Sequence, residues 1–124
     1  PFAFGLSYTT FEYSALKVLP GDGGKVHARV RVEVKNTGRY EGEEVVQLYV
    51  RDEAASITRP VKELKGFEKI ALKPGESKEV VFDITDEQLG FYDNRMNFVV
   101  EKGDFTFMVG TNSRDVDSVS YTLL

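Results

Sequence analysis

Between Val26 and Val34 the chain alternates without a break: Val26, Ala28, Val30, Val32 and Val34 interleave with His27, Arg29, Arg31 and Glu33. Successive side chains of an extended strand leave opposite faces, so this period of two gives one wholly apolar face and one wholly polar face. A helix would scatter the same residues around its circumference. A strand of this kind is half-buried, and its apolar face requires a second layer to cover it.

The neighbouring segments repeat the pattern. Phe11 to Val18 reads as a strand, joined to the first by Pro20-Gly21-Asp22-Gly23-Gly24, whose residues suit a turn, so the two are expected to pair. Asn36-Thr37-Gly38 and Glu41-Gly42 mark a connection to the β-branched and aromatic run Val45 to Val50. Residues 52–60 lose periodicity and end in Pro60, which suits a long loop of functional type. Glu63 to Leu72 is a strand carrying Leu64, Phe67, Ile70 and Leu72, with Gly66 marking a bulge. Lys73-Pro74-Gly75-Glu76 is a turn into Val80, Phe82 and Ile84.

Thr85-Asp86-Glu87-Gln88-Leu89 has a capping threonine followed by acids and is stopped by Gly90, room for one helical turn. Phe98-Val99-Val100 and Phe105 to Val109 are expected to form a hairpin about residues 101–104, and Val119, Tyr121 and Leu123 give a last strand. The fold expected is all-β: a two-sheet antiparallel sandwich of about seven or eight strands. A closed barrel is the alternative, disfavoured by the long loop and the helical turn.

At 124 residues the chain fits one compact domain, and roughly two thirds of its unfolded surface can be buried without cross-links. Residues 1–10, rich in Phe2, Phe4, Leu6 and Tyr8, read as an apolar opening arm from a preceding domain, and 11–124 as the sandwich. With Pro1 at the start, a piece of something longer is expected. Cysteine is absent, which excludes disulfides and thiolate metal sites. The net charge of −4 includes no basic block, so nucleic acid is not an expected partner, and no apolar run approaches the roughly 20 residues of a membrane span.

Catalytic constellations are scarce. Covalent acid/base catalysis by a pair of carboxyl groups needs them roughly 5 Å apart. Glu43 and Glu44 are strand neighbours that point apart, while Asp86 and Glu87 occupy a helix N-terminus where acids are favoured electrostatically. His27, the one histidine, lies on the polar face and is expected to be solvated, which leaves neither a triad nor a multi-histidine metal centre. Gly21 to Lys25 lacks the spacing of a phosphate loop. No catalytic, cofactor or metal residue is assigned. Of fifteen aromatic residues, none is tryptophan, and Phe82, Phe98, Phe105 and Phe107 fall on the inward phase, so core packing rather than sugar stacking explains them.

Tyr49 is the exception. If Val46, Leu48 and Val50 face inward, Val45, Tyr49 and Arg51 share the outer face, and aromatic and arginine side chains are enriched in interfaces. Ile57, Arg59 and Pro60 on the adjacent loop, with Phe2, Phe4 and Tyr8 on the arm, extend this into a candidate interdomain face.

Several stretches carry a family likeness. Pro1-Phe2-Ala3-Phe4-Gly5-Leu6-Ser7-Tyr8-Thr9-Thr10-Phe11, Asn36-Thr37-Gly38, Glu41 through Asp52, Thr58 through Phe67, Leu72 through Glu76 and Gly103 through Gly110 occur in an order that resembles the C-terminal fibronectin type III-like domain of family 3 glycoside hydrolases, β-glucosidases above all. Residues 90–97 are similar too, although Phe98 follows where that family often has tryptophan. The resemblance implies an accessory domain downstream of two catalytic domains, whose aspartate nucleophile and glutamate acid/base have no counterpart here. It implies upstream catalytic domains of the same polypeptide as partners, no cofactor, and no direct carbohydrate binding. The resemblance favours a periplasmic or extracellular setting, with a cytoplasmic one as the alternative. A free-standing carbohydrate-binding or adhesion sandwich is the rival reading.

Overall fold

The structure, a computed structural model, describes residues 9–53 and 61–124. Among them the elements run β1 (Phe11–Pro20), β2 (Ala28–Asn36), β3 (Gly42–Asp52), β4 (Glu63–Leu72), β5 (Ser77–Ile84), α1 (Asp86–Leu89), β6 (Phe91–Tyr92), β7 (Phe98–Val99), β8 (Gly103–Gly110) and β9 (Val116–Leu123). A three-stranded sheet has the order β1-β2-β5, a four-stranded sheet the order β4-β3-β8-β9, and β6 and β7 form a ribbon of their own. Every pairing is antiparallel. The two large sheets share no ladder, which makes the fold a sandwich and not a barrel.

The core follows from alternation. Ala28, Val30, Val32 and Val34 of β2 face Val46, Leu48 and Val50 of β3, and Val80, Phe82 and Ile84 of β5 meet Phe105, Phe107 and Val109 of β8, all buried. Strand β1 needs a correction of phase to join them. Its inward residues are Phe11 and Tyr13 before the register shift and Leu16 and Val18 after it, and Ala15 takes a left-handed φ of 56° at the bulge. The extra residues let odd and even positions contribute to one face.

Asn36, at the end of β2, is the one buried polar side chain among the described residues. Its amide donates to the carbonyls of Tyr40 at 2.8 Å and Leu72 at 2.9 Å, and its carbonyl oxygen accepts from Thr9 Oγ1 at 2.6 Å and the Gly38 N–H at 2.9 Å. One side chain thereby ties together the start of β1, the β2–β3 connection and the end of β4. Burial without a penalty is possible because each donor and acceptor is used.

Several expectations need correction. The alternation beginning at Val26 does not start the ladder, because Val26 belongs to the turn: its N–H donates to the Asp22 carboxylate at 3.2 Å and its carbonyl accepts from the Asp22 N–H at 3.1 Å. His27 is not simply solvated, since its Nε2 lies 2.7 Å from Asp86 Oδ1 and its side chain is largely covered. The expected hairpin of Phe98–Val100 with Phe105–Val109 does not form. β7 pairs back with β6, while β8 pairs with β3 and β9. Phe98 is correspondingly exposed, not part of the core. Among the described residues the two sheets of the sandwich hold seven strands, within the seven or eight expected, and the short ribbon adds two more.

The helical turn forms as read. Thr85 Oγ1 accepts from the Glu87 N–H at 3.3 Å, and the Gln88 side chain accepts from the Thr85 N–H at 2.8 Å, a reciprocal cap. Gly75, φ 81°, supplies the left-handed residue of the β4–β5 turn, behind Pro74.

Candidate functional site

The outer face of the four-stranded sheet carries the candidate residues that are described, Val45, Tyr49 and Arg51. On β3 the inward set Val46, Leu48 and Val50 is buried, which leaves Val45, Gln47, Tyr49 and Arg51 pointing away from the core. Cross-strand neighbours project to the same side, so the ladder with β4 sets Val45 beside Lys69, Gln47 beside Phe67 and Tyr49 beside Leu64. The ladder with β8 sets Tyr49 beside Met108 and Arg51 beside Thr106.

This face has an apolar centre and a charged rim. Phe67 is 68% exposed and Leu64 51%, with Val45 also exposed. The Tyr49 hydroxyl donates to Gln47 Oε1, and Lys62 Nζ stands 5.9 Å from the centre of the Tyr49 ring, within cation–π range. The ring is therefore held in place rather than free to sweep. Arg51 Nε donates to Glu53 Oε2 at 2.7 Å, and Thr106 Oγ1 donates to the same oxygen at 2.9 Å. These bonds hold the Glu53 carboxyl below its usual range, the Arg51 bond contributing most. On the far side, Glu43 pairs with Lys69 at 3.4 Å.

The structure brings Val45, Tyr49 and Arg51 together as expected. Phe2, Phe4, Tyr8, Ile57, Arg59 and Pro60 lie outside the described residues, as does most of the loop 52–60. Leu64 and Phe67, which the sequence reading placed with the apolar pattern of β4, are outward residues of this face. Phe67 is an odd number of positions from Ile70, so parity alone separates it from the buried pair Ile70 and Leu72. For Leu64 parity misleads, because the register shift between Leu64 and Gly66 leaves Lys65 without a partner in the ladder and turns the strand over.

The acidic pairs do not converge. Glu44 takes the inward phase at the end of β3 and accepts from the Tyr13 hydroxyl at 2.8 Å, while Glu43 points outward to Lys69. Burial, then the hydrogen bond to Glu44 and its charge, push the Tyr13 hydroxyl far above the ordinary tyrosine range. It keeps its proton at any physiological pH and serves as a clamp between the sheets. This clamp lies in an open trough of about 670 Å³ between the edges of β1 and β9, lined also by Phe11, Arg114, Asp115 and Asp117. Asp115 accepts from Asn112 Nδ2 at 3.2 Å, within its own turn.

Comparison with known proteins agrees with the fold. Residues 44–113 match the family described as the fibronectin type III-like domain. Over 124 residues the chain is 49% identical to a protein named putative β-xylosidase from Formosa agariphila, covering 99% of the chain and 16% of that protein. It is 48% identical to the periplasmic β-glucosidase of Salmonella typhimurium, covering the whole chain and again 16% of the relative. Among solved structures, a family 3 β-glucosidase from Bifidobacterium adolescentis superimposes with a TM-score of 0.83 at 40% identity, over 99% of this chain and 18% of that one. The β-glucosidase of Listeria innocua in complex with glucose gives 0.80 at 43% identity, over 95% and 16%. The chain thus spans about a sixth of the length of the relatives it matches.

Proposed function

We propose that this chain, which belongs to the fibronectin type III-like domain family and is similar to the C-terminal domain of family 3 glycoside hydrolases, is a non-catalytic accessory domain that packs on the catalytic domains of its own polypeptide and stabilises them. The observation that carries this reading is the outward apolar centre of Leu64, Phe67, Val45 and Tyr49, on a chain whose relatives carry some five times its length elsewhere. Exposed rings and aliphatic groups grouped on one rigid sheet face are what a protein partner desolvates favourably. The rim ion pairs, Arg51 with Glu53 and Lys69 with Glu43, suit the wet margin of such a contact.

The whole polypeptide, on this reading, cleaves β-linked glucose or xylose, and the domain adds rigidity and helps shape the rim of the sugar pocket. Hydrolysis resides outside this chain, because Glu43 and Glu44 are held on opposite faces of one strand and Asp86 is engaged with His27. The test expresses the chain and the rest of its polypeptide as separate proteins. Association with a gain in the melting temperature of the catalytic part supports docking, and absence of both defeats it. A chromogenic β-glucoside or β-xyloside incubated with the chain alone is expected to give no rate above buffer.

A further inference from the structure

The ribbon β6–β7 serves no part of the sandwich ladders, yet it is firmly built. Phe91 pairs with Val99 and Tyr92 with Phe98, and the connection 93–97 is closed by Asp93, whose carboxylate accepts from the N–H groups of Arg95 and Asn97 at 2.9 Å each. The Asp93 N–H donates to the Asn97 carbonyl at 2.9 Å and the Met96 N–H to the Asp93 carbonyl at 3.0 Å. Phe98 anchors the ribbon to the body: its ring lies so close over Gly90 that a Cβ there would stand 2.3 Å from it. Lys65 Nζ donates to the Gly90 carbonyl at 3.2 Å and secures the same point from β4.

What this anchored ribbon presents is apolar. Tyr92 packs edge-on against Phe98, centroids 5.2 Å apart at 63°, and is 65% exposed. Met96 is 74% exposed and has a left-handed φ of 65°, a conformation that glycine adopts freely and a methionine only against a steric penalty. A strained backbone position holding a large apolar side chain out into solvent is the pattern of a recognition element.

We propose that Tyr92 and Met96 form a second docking knuckle, inserted into an apolar socket on the catalytic part of the same polypeptide. The inference rests on the accessory-domain reading, but on a surface separate from the Tyr49 face. A sugar is a poor occupant, because rings inclined at 63° offer no shared flat platform and a thioether gives no hydrogen-bond code. A protein socket is a good one, since methionine adapts to irregular apolar walls and aromatic anchors dominate contacts. The relatives' length beyond the matched sixth supplies the partner.

Met96→Gly separates docking from folding. It relieves the left-handed strain, so the chain alone should melt at the same temperature as the parent or higher. Binding of the separately expressed catalytic part, read by titration calorimetry, should nonetheless weaken by about fivefold or more for Met96→Gly and for Tyr92→Ser, the level that marks a contact residue. If both variants bind as tightly as the parent while Tyr49→Ser does not, the knuckle is wrong and the accessory reading stands. If the parent chain does not bind at all, both fall. A dimer of the chain alone in sedimentation velocity, abolished by Met96→Gly, would assign the knuckle to contact between copies and overturn the proposal.

Discussion

Asn36 carries more of the architecture than any other polar residue described, because four groups from three separate segments depend on its one amide. Asn36→Ala leaves the Tyr40 and Leu72 carbonyls, the Gly38 N–H and the Thr9 hydroxyl without that partner. Since an unsatisfied buried polar group costs about 1–3 kcal/mol, a loss of about 2–4 kcal/mol is expected, read as a lower urea midpoint with an unchanged slope. Tyr13 makes a different kind of prediction. Its folded-state hydroxyl is held protonated well above the unfolded value near 10, chiefly by burial, so above that pH the unfolded chain releases a proton that the folded chain keeps. Stability from this group is complete below about pH 10 and falls by about 1.4 kcal/mol per pH unit above it. Tyr13→Phe should lower stability at neutral pH by about 1 kcal/mol, through the lost bond to Glu44, and make the decline above pH 10 shallower. Denaturant titrations from pH 7 to pH 11 measure both.

The ribbon β6–β7 is anchored by the close approach of the Phe98 ring to Gly90, whose carbonyl also accepts from Lys65 Nζ. Gly90→Ala places a methyl group where the ring now lies, so the ring must leave and Tyr92 loses its edge contact. We expect amide exchange at Tyr92 and Val99 to quicken while protection in β2, β3 and β8 persists, with global stability lower by about 1–3 kcal/mol. The ribbon was also the element that sequence reasoning placed wrongly, and the reason is physical. Phe98-Val99-Val100 has the composition of a core strand and stands close before β8, but the tight hydrogen bonds of Asp93 turn it back on Phe91 and Tyr92. Composition reports that a segment is apolar, and pairing depends on turns whose carboxylate contacts it does not encode. By contrast β2, β4, β5 and α1 were readable to within a few residues, because their alternation or their cap is local. The candidate face was readable on β3, where strict parity holds, and was missed on β4, where one unpaired residue, Lys65, reverses the sense of Leu64.

At the scale of the whole molecule, buried and exposed apolar residues should respond differently to mutation. Phe107 is fully buried between the sheets and stacks on Tyr121 at 5.4 Å, whereas Phe67 stands largely in solvent on the opposite side of the same sheet. Phe107→Ala removes a filled volume and should cost the chain about 3–5 kcal/mol wherever it is measured, alone or within its polypeptide. Phe67→Ser should leave the chain alone within about 0.5 kcal/mol of the parent, the range of an ordinary surface change. If the outer face is covered by catalytic domains, the same Phe67→Ser should lower the melting temperature of the complete polypeptide and weaken association of the separated parts by about fivefold or more. Differential scanning calorimetry on the chain and on the complete polypeptide distinguishes the cases, because a merely exposed phenylalanine moves neither transition and a docking residue moves only the second.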